Sequence, residues 1–261
     1  MKKTFACFGD SITSNEVCGI GTEISKILDM ELTGNFAHGN ATCSDWYKDG
    51  KCLTTVKCDF EPDIWDPVNT LSNQVYTLLR DFSPRGKKVC WVHPQCGSFS
   101  AELFGTERIT KKPDVIYIAI GTNDGKTDNG NATPVFDDSA NIFKQEYSTL
   151  TRQSIASSLR WAIETLKCVF ENSFIFVASP LQADSPWEPS AFSYESLYMK
   201  RKIIKKVCEY CSVYFIDSFA ESGFSKMRVK SYGDICGIHP AGNEKRRIAE
   251  FVAHKIKMEL Y

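Results

Sequence analysis

Apolar residues along the chain follow two different patterns, and the first consists of short uninterrupted runs. Four such runs, each ending in glycine or polar residues, occupy residues 4–10, 114–124, 174–180 and 213–217. Runs of this length without alternation are typical of strands that are buried on both faces of a parallel sheet. A further candidate strand, "ELTGNFA", spans residues 31–37.

The second pattern repeats every three to four residues. In the segment 154–170 the apolar stripe consists of Ile155, Leu159, Ile163, Leu166 and Phe170. Such a stripe predicts a helix with one face against the sheet. Similar patterns predict helices over 21–30, 70–82, 194–210 and 244–260. Because strands and helices alternate, we predict an α/β domain whose ligands gather at the carboxyl ends of parallel strands.

Two stretches do not fit this alternation. Residues 43–69 and 92–112 are predicted to be long loops on an otherwise regular core. No linker, repeat or low-complexity tract divides the chain. We therefore expect one domain over residues 1–261.

Composition and charge narrow the range of partners. The chain has 261 residues, 43% of them apolar, and 31 basic residues stand against 32 acidic ones. With no basic excess, nucleic acid and anionic membrane surfaces are not expected as partners. The apolar runs fall short of the roughly 18 to 20 residues that a membrane span needs, and Gly9 and Asp10 interrupt the N-terminal run before a signal sequence could form. We therefore expect a soluble, cytoplasmic protein.

The cysteine content agrees with a reducing compartment. There are 11 cysteines, an odd number, in a chain large enough to fold without disulfides. Cys208 and Cys211 form a CxxC motif near the end of a predicted helix, where the helix dipole raises the pKa of a thiol. We therefore favour buried structural thiols over a redox or metal site at this motif.

Four candidate residues follow predicted strands. Ser11 lies in "GDSIT", Gly39 in "NFAHGNAT", Asn123 in "GTND" and His239 in "GIHP". Each has an ordinary structural interpretation when it is taken alone, because serine caps helices and glycine and asparagine form turns. As a set in this order, each at the end of a predicted strand–helix unit, the four positions are much more specific than any one of them alone.

These motifs resemble those of the SGNH (GDSL-type) hydrolases over nearly the whole chain. The resemblance implies a flavodoxin-like, three-layer α/β/α sandwich with a mostly parallel five-stranded sheet. It also implies hydrolysis of esters or thioesters without a metal or an organic cofactor. Ser11 would be the nucleophile and His239 the general base, while the backbone N–H groups of Ser11 and Gly39 and the side chain of Asn123 would hold the oxyanion.

Two assignments stay open. Gly97, in "WVHPQCGSFS", is an alternative to Gly39, and the neighbouring His93 is a rival base. The acid is the second open point, because the family pattern places aspartate three residues before the histidine, where this chain has Cys236. Asp234 could reach the ring, a backbone carbonyl could orient it in a serine–histidine dyad, or the protein could be a weakened or inactive relative.

The substrate is indicated only by aromatic residues near the predicted loops. They are Trp46, Trp65, Trp187, Phe192 and Tyr194. Aromatic rings suit sugars and acyl chains, but they also pack loops. We predict an esterase that forms an acyl-serine intermediate on a small-molecule or carbohydrate ester, with acylated carbohydrate preferred over lipid. The alternatives are an inactive carbohydrate-binding protein and, more weakly, a flavin or nucleotide binder.

Overall fold

Five parallel strands form the central sheet. A computed structural model describes residues 2–45, 47–48, 51–52, 70–82, 88–93, 97–102, 112–125, 142–186, 189–234 and 236–260. The five strands are β1 (Thr4–Gly9), β2 (Glu31–Asn35), β7 (Val115–Ala119), β8 (Phe174–Ala178) and β9 (Tyr214–Ile216). Their order is β2-β1-β7-β8-β9, and all four neighbouring pairs are parallel.

Four further strands form two separate antiparallel pairs. Strand β3 (Tyr47–Lys48) pairs with β4 (Lys51–Cys52), and β5 (Lys88–His93) pairs with β6 (Gly97–Glu102). The stretch 92–112, which was predicted to be a loop, therefore contains all of β6 and the last two residues of β5. The rest of that stretch and most of 43–69 lie outside the described residues.

The described helices include the five that were predicted, close to their predicted positions, and three shorter ones that were not predicted. They are α1 (Ile20–Ile27), α2 (Leu71–Phe82), α3 (Ile155–Val169), α4 (Pro189–Phe192), α5 (Tyr194–Cys211), α6 (Ser218–Glu221), α7 (Lys226–Tyr232) and α8 (Asn243–Leu260), with a 3-10 turn at Tyr147–Thr149. Helix α3 begins where the sequence provides a cap, because the side chains of Ser154 and Ser157 bond each other's backbone N–H groups.

Two hydrophobic layers hold the helices against the sheet. Residues Ala6, Phe8, Ile116 and Ile118 point to one face, where they pack with α2, α3 and α5. Residues Phe5, Cys7, Val115 and Tyr117 point to the other face, where they pack with α1 and α8. The alternation along each strand produces two buried faces, so the predicted three-layer α/β/α sandwich with a parallel five-stranded sheet is confirmed.

The strand order fixes where a site can form. From β1 the chain moves outward to β2, and the later strands β7, β8 and β9 extend the sheet in the other direction. The order therefore reverses between β1 and β7, and ligands bind at such a point beyond the carboxyl ends of the strands. Ser11 follows β1 and Asn123 follows β7. Among the described helices, none is long and apolar enough to cross a membrane.

Candidate active site

Ser11, His239 and Asp234 form a continuous chain of hydrogen bonds. The Oγ atom of Ser11 lies 2.7 Å from Nε2 of His239, and Nδ1 of the same ring lies 2.6 Å from Oδ2 of Asp234. An ionised carboxylate can only accept, so Nδ1 carries the proton that it shares with Asp234. The lone pair of Nε2 then faces the Ser11 hydroxyl, which is the arrangement in which an imidazole can remove a proton from serine.

The turn that carries His239 brings Asp234 to the ring from five residues upstream. Oδ1 of Asp234 accepts hydrogen bonds from the backbone N–H groups of Ile238 and His239, each at 3.2 Å. The N–H of Asp234 donates to the carbonyl of His239 at 2.8 Å. Gly237 has φ +67°, and a Cβ there would lie 2.6 Å from the carbonyl oxygen of Asp184. The turn therefore depends on glycine at this position.

These contacts also determine the charge of the Asp234 side chain. Partial burial on its own would raise the pKa of Asp234, but hydrogen bonds from the His239 ring and from the backbone N–H groups of His239 and Ile238 outweigh it. The pKa of Asp234 is therefore lowered from its ordinary value, because these bonds favour the charged form. Asp234 is ionised at neutral pH and can orient the imidazole and stabilise the imidazolium.

Ser11 lies in a tight turn directly after β1. The N–H of Asp10 donates to the carbonyl of Ala119 on β7, and the N–H groups of Thr13 and Ser14 donate to the carbonyl of Asp10. The Asp10 side chain is buried and accepts from the N–H of Ile12 at 3.1 Å. Burial raises the pKa of Asp10, against hydrogen bonds from Thr122 and Ile12 that lower it. The turn is thus held by local hydrogen bonds and by one bond to β7, and the Ser11 hydroxyl is directed at His239.

The two expected oxyanion donors besides Ser11 belong to neighbouring loops that contact each other. Asn123 is buried, and its Nδ2 donates to the carbonyl of Ala41 at 2.9 Å. Ala41 follows Gly39 by two residues, so Asn123 reaches the loop that carries Gly39. The N–H of Gly39 itself points to Oε2 of Glu16, at a distance of 3.5 Å.

Asp124 also binds the loop that carries Gly39. Its carboxylate accepts hydrogen bonds from the N–H groups of Cys43 and Ser44, at 2.8 and 2.9 Å, and from the Ser44 hydroxyl at 2.6 Å. Burial raises the pKa of Asp124, while the hydrogen bond from the Ser44 side chain and the charge of Lys200 act in the opposite direction. No sequence signal pointed to this role of Asp124, because an aspartate between Asn123 and Gly125 is also ordinary in turns.

The alternative residues occupy a different part of the molecule. Gly97 is the first residue of β6 and pairs with His93 of β5 in the separate hairpin. Gly97 therefore does not follow a strand of the central sheet, whereas Gly39 comes four residues after the end of β2. His239 is the histidine whose ring the structure places against Ser11.

Cys236 lies inside the turn between Asp234 and His239 and is partly exposed. The carboxylate of Asp234 occupies the position beside Nδ1 of the ring. The carboxylate that contacts the ring therefore comes from five residues before the histidine and not from the position three residues before it. A backbone carbonyl is not needed to orient the ring.

The remaining candidates from the sequence are the two cysteines of the CxxC motif and the aromatic residues. Cys208 and Cys211 are both buried in the hydrophobic core, and burial raises the pKa of the Cys211 thiol to about 12. Within the described ranges, no group of three or more His, Cys, Asp or Glu side chains could hold a metal ion. Phe192 is buried, whereas Tyr194 is 44% exposed and stacks on Tyr198. Trp46, Trp65 and Trp187 lie outside the described residues.

One residue near the site gave no sequence signal. Gln74, on α2, hydrogen bonds both to the N–H and to the carbonyl of Gly9, each at 2.8 Å. Gly9 is the last residue of β1 and precedes Ser11 by two positions. A glutamine in an amphipathic helix is ordinary, so only the fold reveals this contact.

Comparisons with known proteins show which proteins share this fold. No protein-family model matches the sequence, and no curated protein matches it either. Among solved structures, a lipase/acylhydrolase from Enterococcus faecalis is 13% identical, with a TM-score of 0.54 over 98% of this chain and 96% of that one. A candidate SGNH hydrolase from Slackia heliotrinireducens is 10% identical, with a TM-score of 0.52 over 98% and 100%.

A third similar structure is a carbohydrate esterase family 2 enzyme with a carbohydrate-binding domain, from Corynascus thermopiles. It is 15% identical, with a TM-score of 0.55 over 100% of this chain and 67% of that one. At these identities the likeness establishes the fold. The chain therefore has the α/β fold of the SGNH hydrolases, as the motifs predicted.

Proposed function

We propose that this protein is a serine-dependent carboxylic-ester hydrolase. Ser11 is the nucleophile, His239 the general base and Asp234 the residue that orients the ring. The observation that supports this proposal most strongly is the pair of hydrogen bonds, 2.7 and 2.6 Å long, that joins the three side chains across 228 residues of sequence. A serine that only capped a helix would need no imidazole at its hydroxyl.

The reaction proceeds in two steps, acylation of Ser11 and hydrolysis of the acyl-serine. Nε2 of His239 takes the proton of Ser11 as Oγ attacks the ester carbonyl, and the imidazolium returns that proton to the departing alcohol. Water then gives a proton to His239 as its oxygen attacks the acyl-serine carbonyl. The imidazolium returns that proton to Oγ of Ser11 as the bond between Oγ and the acyl group breaks and the acid leaves. In both steps the oxyanion is held by the N–H groups of Ser11 and Gly39 and by the Asn123 amide. Such donors are each worth about 10² to 10³ in rate.

Substrate binding follows from the surroundings of the site. The N–H of Gly39 has an exposed partner, Glu16, whose side chain is 66% exposed. An oxyanion can displace such a side chain at little cost. One protein of the same fold is a carbohydrate esterase. We propose a small-molecule ester as substrate, with acylated carbohydrate as the preferred class, and a single catalytic domain over residues 1–261.

Hydrolysis of p-nitrophenyl esters tests the proposed activity. We expect the wild type to hydrolyse p-nitrophenyl acetate and the Ser11→Ala variant to retain only background hydrolysis. Thr149→Ala, a change of another hydroxyl residue far along the chain, serves as the matched control. Equal rates for the wild type and Ser11→Ala would overturn the nucleophile assignment.

Release of acetate from acetylated xylan or cellulose oligosaccharides, compared with release of long-chain acids from lipids, tests the substrate class.

A non-catalytic carbohydrate-binding protein is the competing interpretation. Its main support in the sequence is Cys236, which stands where the family has its acid. The contact between Asp234 and His239 weakens that argument, because a carboxylate reaches the ring from another position. A protein of this second kind would bind sugars equally well with or without the Ser11 hydroxyl.

A further inference from the structure

The side chain of Gln74 forms the hydrogen bonds with the Gly9 backbone that a neighbouring strand would otherwise form. It is buried, with 2% of its surface exposed. Its Oε1 accepts from the N–H of Gly9 and its Nε2 donates to the carbonyl of Gly9, both at 2.8 Å. The orientation of the amide is fixed by chemistry, because an N–H needs an acceptor and a carbonyl needs a donor.

The reason for this contact lies in the sheet. In a parallel pair, the N–H and the carbonyl of one residue point to the same neighbouring strand, and those of Gly9 point toward β2. Strand β2 is in register with β1 only as far as Cys7 and ends at Asn35. Beyond that point His38 supplies one N–H to the Gly9 carbonyl at 3.2 Å, and Gln74 supplies the acceptor for the Gly9 N–H.

Gly9 is the residue from which the Ser11 turn departs. On the opposite side the turn is held by the hydrogen bond from Asp10 to Ala119. No side chain can be accommodated at Gly9, since a Cβ there would lie 2.4 Å from the carbonyl oxygen of Ala119. A small shift of Gly9 therefore moves the Ser11 backbone and hydroxyl together.

Helix α2 also connects to the loop that carries Gly39. Its first N–H, from Leu71, donates to the carbonyl of Thr42 at 2.9 Å, and Thr42 and Thr70 form a parallel bridge. One end of α2 is therefore bonded to the Gly39 loop, and Gln74 in the same turn is bonded to Gly9. The helix start connects the two backbone segments that would hold the oxyanion.

We propose that Gln74 is a positioning residue that fixes Ser11 relative to His239 and to the Gly39 loop. This inference rests on the proposed esterase function. Gln74 acts through Gly9 and does not touch the substrate. Because rates fall steeply when reacting groups are displaced by about 1 Å, loss of the amide should lower turnover more than substrate binding.

Gln74→Met tests this, since methionine has a similar length but forms no comparable hydrogen bonds. We expect kcat to fall about 10- to 100-fold while KM changes less than about threefold. The matched control is Leu78→Ala, a buried change on the same helix that removes no hydrogen bond to Gly9 and destabilises the fold through a cavity. Assayed well below its melting temperature, Leu78→Ala should keep the kcat of the wild type.

Hydrogen exchange of the Gly9 amide gives a second measurement that needs no activity. In Gln74→Met this amide should exchange at least about 10-fold faster than in Leu78→Ala when both are compared at equal global stability. Unchanged kcat in Gln74→Met, or unchanged Gly9 exchange, would refute the positioning role. If Ser11→Ala hydrolyses esters as well as the wild type, the proposed function fails instead, and the exchange experiment still shows whether Gln74 holds Gly9.

Discussion

At the scale of single residues, Asp234 binds both the ring and the backbone of His239. Asp234 accepts from Nδ1, and the same carboxylate accepts from the backbone N–H of His239, so ring and backbone share one partner. The side chain of His239 is 19% exposed and that of Asp234 is 31% exposed. The His239 ring is therefore oriented by a partly exposed carboxylate, while its Nε2 faces the Ser11 hydroxyl.

The role of Asp234 can be separated from that of Cys236 by substitution. We expect Asp234→Asn to lower kcat by about 10² to 10⁴, because an amide can turn its N–H groups to Nδ1 and favour the wrong ring tautomer. Cys236→Ser, two residues further along the same turn, should keep activity within about twofold of the wild type, since Cys236 is not the acid in this geometry. The reverse ranking in an ester assay would mean that the turn does not hold Asp234 at the ring.

The stability that Asp234 contributes should depend on pH in a defined direction. Its pKa is lower in the folded protein than in the unfolded chain, so folding favours the charged form. The contribution is fully present above the unfolded value of about 3.9 and is lost as pH falls through the folded value. We therefore expect the difference in melting temperature between wild type and Asp234→Ala to be constant from pH 5 to pH 7 and to shrink below about pH 4. A difference that grew on acidification would contradict this assignment.

Asp234 and Gln74 mark the limit of what the sequence predicts at this scale. Ser11, Asn123 and His239 were recognisable because each belongs to a short motif after a strand. Asp234 could only be one of three possibilities, since its distance from the ring depends on a turn closed by Gly237 and on bonds to Ile238 and His239. Gln74 could not be predicted, because its contact joins residues 65 apart without a local pattern.

At the scale of elements, the site depends on two backbone segments that leave the sheet at its switch point. The Ser11 turn follows β1, and the Gly39 loop follows β2 and is bonded to Asn123 and Asp124 after β7. The buried Asp45–Arg152 ion pair, at 2.8 Å, fixes the far end of the same loop to the start of α3. Each donor is therefore held by neighbouring elements.

Two glycine substitutions distinguish the roles of these segments. Gly9→Ala should lower the free energy of unfolding by about 2 kcal/mol or more, because its Cβ would meet Ala119 and Thr13 within 2.8 Å. Gly39→Ala should change it by less than about 0.5 kcal/mol, because the nearest atom would be Oε2 of Glu16 at 3.7 Å. Urea titrations of both variants measure this. Similar losses for the two would mean that the Gly39 loop is packed more tightly than the structure shows.

The sheet and its helices were largely predictable from the sequence. Uninterrupted apolar runs such as 174–180 correspond to buried parallel strands, and the stripe of α3 faces the sheet as its spacing requires. The hairpin of β5 and β6 was not predicted, because its strands combine polar and apolar residues without a recognised turn. The short strand β9 lies inside the apolar run 213–217 that predicted it, directly after α5 and its C-cap residue Ser212.

At the scale of the whole molecule, the fold distributes its cysteines mainly as small buried groups. Seven cysteines are free in the described part of the chain. Burial raises the pKa values of Cys43 and Cys208, and Cys208 and Cys211 stay apart as thiols in the core. Thiolates are the reactive form, so these residues should be unreactive while the protein is folded.

Thiol labelling tests that distribution. With iodoacetamide at pH 8 we expect Cys168, which is exposed, to be modified well before Cys7, Cys43 and Cys208, which are buried. The buried group should react only after denaturation, as peptide mapping by mass spectrometry would show. Early modification of Cys208 in the folded protein would mean that the CxxC segment is accessible and that its chemistry must be reconsidered.

The central claim is that the fold turns Ser11 into a nucleophile through His239, and fluorophosphonate labelling tests it most directly. Because the reagent needs an activated hydroxyl and an oxyanion site but no particular substrate, the unknown ester does not matter. We predict one covalent adduct per chain, mapped by mass spectrometry to Ser11, absent in Ser11→Ala and at least about 100-fold slower in His239→Ala. An intact protein that acquires no adduct, or acquires it at another residue, would contradict the account.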